Sequence, residues 1–134
     1  MIFRLLYNQI AYDRIKYERM EVRQSSILGA GDGLFTTIPI KKGTIIDDYT
    51  LNTQKLTKEQ FLARYPNRKT THTLYVKGAY YDGLNANTKI AKANRAPTGK
   101  RNNSKFNAVG KVVATANIAA NDEIFLSYGP SFRI

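Results

Sequence analysis

Three short stretches of the chain hold residue types that could do chemistry. The first is Gly29-Ala30-Gly31-Asp32-Gly33-Leu34-Phe35. Three glycines in five positions let a backbone turn tightly and approach a ligand with no Cβ in the way. The stretch lacks the spacing and following helix of a dinucleotide fingerprint, and it has no Gly-Lys-Ser/Thr of a P-loop. The second is Ala93-Asn94-Arg95-Ala96, with Asn102-Asn103-Ser104-Lys105-Phe106 after it. Asn side chains carry donors and acceptors together, so a pair flanking a loop can hold loop and ligand at once. The third runs from Ala120 to Gly129 and places Tyr128 at the end of an apolar strand. Taken one at a time, these also fit an ordinary β-turn, ordinary loop composition and a core or interface tyrosine.

The rest of the composition removes other chemistries. The chain has no Cys, so a disulfide framework, a cysteine nucleophile and a cysteine-held zinc or iron–sulfur site are excluded. His72 is the one histidine, which excludes a His-pair metal site, so no metal is expected. Its setting in Thr70-Thr71-His72-Thr73 reads as surface or structural.

The elements that must position these stretches are mostly short strands. Expected strands are Glu21–Ile27, Leu34–Thr37 after the glycine-rich turn, and Thr44–Tyr49 after the Lys41-Lys42-Gly43 turn. Thr57 and Gln60 match a capping box, Phe61, Leu62 and Tyr65 give the short helix an apolar face, and Pro66 ends it. Thr73–Val76 and Ala79–Asp82 read as a hairpin turning at Lys77-Gly78. Residues 85–104 read as one long polar loop. Phe106–Val109 and Val112–Thr115 read as a second hairpin, and Glu123–Tyr128 as a closing strand. The 134 residues fit a single domain, 21–134, preceded by a 1–20 N-terminal extension of ambiguous pattern. The class is mainly β, with one or two short helices.

Charge is unevenly spread. Lys plus Arg is 21 and Asp plus Glu is 10, a formal net charge of +11. Between Gly83 and Asn121 there is no acid, while Lys89, Lys92, Arg95, Lys100, Arg101, Lys105 and Lys111 fall there. The 89–111 basic stretch is either a solvated face or a patch for phosphates, including nucleic acid. No run of about 18 apolar residues or strongly amphipathic basic helix is present, so a membrane role is not expected. The opening Met1–Tyr7 is too short for a signal-peptide core, which suggests an intracellular protein.

In order, the three stretches resemble a SET domain, the fold of protein-lysine methyltransferases. The resemblance spans residues 21–129. Val22–Asp48 is similar to the family's opening: a glycine-rich turn, Gly-Leu-Phe, a basic turn ending in Gly43, then a strand. Tyr80-Tyr81-Asp82-Gly83-Leu84-Asn85 resembles its central Asp-bearing strand. Ala93-Asn94-Arg95-Ala96 resembles its Asn-His-Ser segment, Asn103 the Asn of its Pro-Asn pair, and Glu123–Gly129 its closing Tyr-Gly strand. Arg95, Ala96 and Asn102 depart from that pattern, and the zinc-binding segment that follows many such domains has no cysteines here. The size resembles the compact free-standing SET proteins of some viruses.

The resemblance implies a fold of short strands in several small sheets. It also implies methyl transfer from S-adenosyl-L-methionine to a lysine ε-amine of a protein substrate, a histone being the candidate. Transfer would be an in-line displacement in which alignment supplies much of the rate. The amine must be neutral, whereas free Lys has a pKa of ~10.4. An apolar channel beside a sulfonium would lower that value. By resemblance, Tyr128 is the catalytic tyrosine. Gly31, Asp32 and Gly33 would line the cofactor with backbone groups, Asn94 would bind it, Lys92 or Arg95 would meet its carboxylate, and Phe132 would close over it. Tyr80 and Tyr81 would line the lysine channel, and Leu126 would influence the number of methyls. Asn103 would brace the loop and Asp82 would be a structural acceptor. Two other readings remain: a SET-like binding module without catalysis, and a small basic nucleic-acid-binding β-protein. A histone substrate would place the protein in the nucleus, another substrate in the cytoplasm.

Overall fold

The computed structural model describes residues 19–70, 72–84 and 88–127. Among the described residues, nine strands form three sheets around one main core and one satellite core. No helix among the described residues is long and apolar enough to cross a membrane.

β1 (Met20–Gln24) and β2 (Asp32–Thr36) are an antiparallel pair in which Val22 lies opposite Leu34 and Arg23 opposite Gly33. Met20 is buried and opposite Thr36. The glycine-rich turn connects the two strands.

The second sheet orders its strands β3-β8-β7-β9. β3 (Ile45–Asp48), β7 (Ser104–Phe106) and β8 (Lys111–Ala114) pair antiparallel, and β9 (Leu126–Ser127) lies parallel to β7. Alternation decides the faces: Ser104, Phe106, Val112 and Ala114 are buried, while Lys105 is exposed. β7 begins two residues before the expected Phe106, because the Ser104 hydroxyl donates to the Phe125 carbonyl at 3.0 Å and tolerates burial there.

The third sheet, β4-β6-β5, carries the helix. β5 (Thr73–Val76) and β6 (Ala79–Asp82) form the expected hairpin, and Lys77 (φ 47°) with Gly78 (φ 81°) gives the two left-handed residues of a tight turn. β4 (Gln54–Leu56) pairs with β6 although its short polar sequence carries no strand signal. α1 (Lys58–Arg64) starts on the expected capping box, with Gln60 N–H donating to Thr57 and the Gln60 side chain accepting from Thr57 N–H. Its anchor is Phe61, fully buried and stacked on Tyr80 with ring centroids 4.2 Å apart. Emptying such an aromatic site costs about 3–5 kcal/mol.

The 85–104 stretch contains more structure than a loop. A 3-10 turn spans Lys89–Lys92, Thr88 caps it and Ile90 is buried in the main core. The closing stretch is less regular than the expected strand. Glu123 bridges Phe35, Phe125 bridges Asn94, and only Leu126–Ser127 form a ladder. The segment therefore ties three elements together, one contact at a time.

Candidate active site

The side chain at the centre of these ties is Glu123, 6% exposed. Its carboxylate accepts from Ser25 Oγ (2.8 Å), Ser26 N (2.8 Å), Ser26 Oγ (2.6 Å) and Asn94 Nδ2 (3.4 Å). Burial pushes its pKa up, but hydrogen bonds from Ser26, Ser25 and Asn94 outweigh burial and hold the carboxyl below its ordinary value. Every donor is neutral, so the charge is stabilised by directed dipoles.

Glu123 also explains Gly33. A Cβ at Gly33 would stand 2.5 Å from Glu123 Oε2, so the carboxylate occupies the space a side chain would need. Gly29 (φ 79°) and Gly31 (φ 73°) are glycines for another reason: their backbones are left-handed, and open space surrounds them. Ser25 N–H donates to the Gly31 carbonyl at 2.8 Å and closes the turn. Gly31 and Asp32 are exposed, whereas Gly33 is buried beneath the carboxylate.

Asn94 joins the turn to β9. Its Nδ2 donates to Asp32 O at 2.9 Å as well as to Glu123, and its carbonyl accepts from Leu126 N–H at 2.8 Å. Asn103 braces the other side: Nδ2 donates to Glu123 O at 3.0 Å, and Oδ1 accepts from Phe125 N–H at 2.9 Å. Asn102 closes the loop between the two, its Oδ1 accepting from Ala96 N–H at 2.7 Å. The structure thus brings Gly31, Asp32, Asn94 and Leu126 together around Glu123. Lys92 and Arg95 are exposed on the two sides of Asn94. Tyr128 and Phe132 lie outside the described residues.

The tyrosine pair divides. Tyr80 is buried and clustered with Leu56 and Phe61. Tyr81, next on the strand, is half-buried and packs against the main core. Leu126 is enclosed in the main core.

A second buried carboxylate stands apart from this cluster. Asp82 accepts from Arg64 Nη1 (2.9 Å), Tyr65 Oη (2.8 Å) and Leu84 N (3.0 Å), and joins α1 to β6. Burial opposes its charge, but the Leu84 amide, the Arg64 guanidinium and the Tyr65 hydroxyl together lower its pKa. Burial and the bond to Asp82 raise the Tyr65 hydroxyl.

An open cleft of ≈ 490 Å³ lies beside Glu123, walled by Phe35, Phe125 and Asn103 and rimmed by Lys100 and Arg101. No cluster of metal-binding side chains occurs among the described residues.

Glu123 was missed by sequence reasoning, where it was only the acidic start of a strand. The signal available was an acid directly before an apolar run, facing a chain otherwise short of acids.

Comparison with known proteins adds a family match and a fold. The family model of the SET domain matches residues 31–129. No curated protein matches the sequence. Among solved structures, the Chaetomium thermophilum Polycomb Repressive Complex 2 bound to GSK126 is similar, with a TM-score of 0.65 and 21% identity over 85% of this chain and 16% of that one. ctPRC2 bound to S-adenosylmethionine gives 0.65 and 20%, over 86% of this chain and 16% of that one. ctPRC2 in complex with H3K27me3 and H3K27M gives 0.63 and 21%, over 82% of this chain and 14% of that one. This chain therefore spans about a sixth of the length of the solved chains it resembles.

Proposed function

Because the chain belongs to the SET-domain family, we propose that it is an S-adenosyl-L-methionine-dependent protein-lysine N-methyltransferase. The observation that carries the reading is the three-way junction at Glu123, which sets an exposed glycine turn, Asn94 and the last strand side by side. Support for the cofactor comes from the turn itself, since Gly31 presents backbone to open space. The solved relative bound to S-adenosylmethionine supports the same assignment.

In this reading S-adenosyl-L-methionine supplies the methyl group. Gly31 and Asp32 offer main-chain groups to it, and the Asn94 amide fixes the turn's distance from the chain end. Lys92 and Arg95, both exposed, attract its carboxylate by charge. Tyr128 follows Ser127 directly, and its hydroxyl orients the incoming amine. Tyr81 lines the approach. Phe132 covers the outer side. The site holds the acceptor lysine away from water, which favours its neutral form. Residues 21–134 are the proposed catalytic domain, with 1–20 an extension.

The acceptor is a lysine in a protein, and a histone is the first candidate. The complex with H3K27me3 and H3K27M among the solved relatives supports it. A nucleic-acid contact by the 89–111 stretch and a nuclear location accord with that substrate. The test is labelled S-adenosyl-L-methionine with core histones, nucleosomes, nucleic acid and a lysate as acceptors. Label on protein that disappears when the acceptor lysine is changed to arginine is expected. Cofactor binding without any transfer would make the chain a SET-like binding module, and no cofactor binding would overturn the proposal.

A further inference from the structure

We propose that Lys100, Arg101 and Lys105 form a docking surface for the phosphate backbone of double-stranded nucleic acid, placed beside the transfer end of the site. This deepens the functional reading above by naming what the protein substrate is attached to, but the binding itself does not depend on methyl transfer.

Seven cations in an acid-free stretch do not make a surface until their positions are known. The structure removes two. Lys89 Nζ donates to the Met20 carbonyl at 2.7 Å, so it is spent inside the fold. Lys111 is half-buried on β8. Lys92 and Arg95 flank Asn94 and belong to the proposed cofactor side. Lys100, Arg101 and Lys105 remain, all exposed, and none makes an ion pair among the described residues.

The backbone that carries these three is held in place. Lys100 N–H donates to Pro97 O at 3.0 Å, and Gly99 supplies the left-handed residue of that turn. Asn102 holds Ala96 across the loop neck, and Asn103 is pinned at both ends to the closing segment. A loop held this way adds little backbone ordering cost on binding. Lys105 points outward from β7, opposite Ser127 on β9, and the next residue is Tyr128. The charge therefore runs from the cleft rim to the strand that leads into the transfer site.

The partner is chosen by charge. Three exposed cations within six residues, on a chain of net charge +11, suit the high charge density of a duplex backbone. Asp122 and Glu123 also line the cleft, which disfavours an anionic polymer inside it.

The test is fluorescence anisotropy of a labelled DNA duplex of arbitrary sequence, with the full chain and no cofactor, from 50 to 200 mM salt. The triple variant Lys100→Ala/Arg101→Ala/Lys105→Ala is compared with Lys55→Ala/Lys58→Ala/Lys69→Ala, which removes equal charge from exposed positions elsewhere. The first should lose about 2.7 from the salt slope, so wild-type affinity falls about 40-fold more than the variant's over that range. The second should keep nearly the wild-type slope. Equal losses in both would mean that net charge alone binds, which overturns the proposal. Polyglutamate competing as well as the duplex would assign the surface to acidic protein and overturn it too. Methyl transfer to a short free peptide should be unchanged in the first variant, and transfer to a nucleosome should fall. A fall in both would place the three cations in the transfer site instead.

Discussion

Two of the buried carboxylates, Asp82 and Glu123, look alike and are built differently. Asp82 is fixed by nearby partners: Arg64 and Tyr65 are 18 and 17 residues away, and one of them is a cation. Its network fastens α1 to the sheet beneath it. Glu123 is fixed by Ser25 and Ser26, 98 and 97 residues away, and all its donors are neutral. Its network holds an exposed turn, a loop and the segment leading into β9 in one register. An ion pair with a half-exposed partner is a fastening that water can partly replace. A carboxylate whose donors come from distant segments is a gauge: it sets the distances between those segments. The contrast predicts that damage at Asp82 reads out in stability, and damage around Glu123 reads out in function.

The sharpest test of that contrast lies at the end of the Glu123 segment. Tyr128→Phe should lower turnover by about 10²-fold or more, equivalent to ~2.7 kcal/mol of barrier. Melting temperature and cofactor affinity should scarcely move, because the hydroxyl acts on the transition state. Steady-state methyl transfer and calorimetry measure the two. Wild-type turnover would send the role to another tyrosine, with Tyr81 the next to test.

The carboxylates themselves come next. Asp82→Ala strands Tyr65, the Leu84 amide and Arg64, and should cost about 2–3 kcal/mol in urea unfolding. Arg64 is 40% exposed and turns to water, which keeps the loss from being larger. Cofactor affinity should stay within about two-fold. Glu123→Ala strands two serine hydroxyls and an amide, and should cost a similar ~1–3 kcal/mol. It should also weaken cofactor binding by about 10-fold, or ~1.4 kcal/mol. If both variants weaken binding equally, the distinction between fastening and gauge fails.

A smaller effect probes the packing between turn and carboxylate. Gly33→Ala places a methyl where Glu123 Oε2 now sits, and should cost about 1–2 kcal/mol. In the double variant Gly33→Ala/Glu123→Ala the methyl has room, so the two losses should fall short of additive by about 1 kcal/mol in thermal unfolding. Full additivity would mean that the glycine serves something other than this contact.

The same contrast explains what the sequence made legible. Local devices could be read: Thr57 with Gln60 starts α1, Lys77-Gly78 turns the β5–β6 hairpin, and the glycines mark the exposed turn. Each acts over a few residues, so its signal is in the string. β4 could not be read, because Gln54 and Lys55 become strand only by pairing with Asp82 and Tyr81. Nor could the burial of Tyr80, which depends on Phe61 arriving from α1. The chain's family was legible because the order of its stretches survives substitution at Arg95 and Ala96. Glu123 was not, because its meaning lies in donors nearly a hundred residues away. A charge before an apolar run says nothing about who will meet it.

The smallest expected effect is in the acid limb of stability. Both carboxyls sit below their ordinary values in the fold. A depressed folded pKa means that the unfolded chain binds the proton first as pH falls. Their stabilisation is therefore complete above the unfolded carboxylate range, near pH ~4–5, and is lost as pH drops through the folded values. Urea unfolding followed downward from pH 7 should show wild-type stability level at first, then falling below about pH 5. Asp82→Asn and Glu123→Gln each remove one titrating group, so each should start lower and fall less steeply, the two limbs converging at low pH. The difference between the variants sharpens the comparison. Protonating Asp82 releases a cation that is already partly in water, and the helix then loosens locally. Protonating Glu123 turns an acceptor for four neutral donors into a group with a proton of its own, and the turn, Asn94 and the last strand lose their common reference. Cofactor affinity should thus follow the Glu123 limb and ignore the Asp82 limb. The pH dependence of binding should flatten in Glu123→Gln and persist in Asp82→Asn.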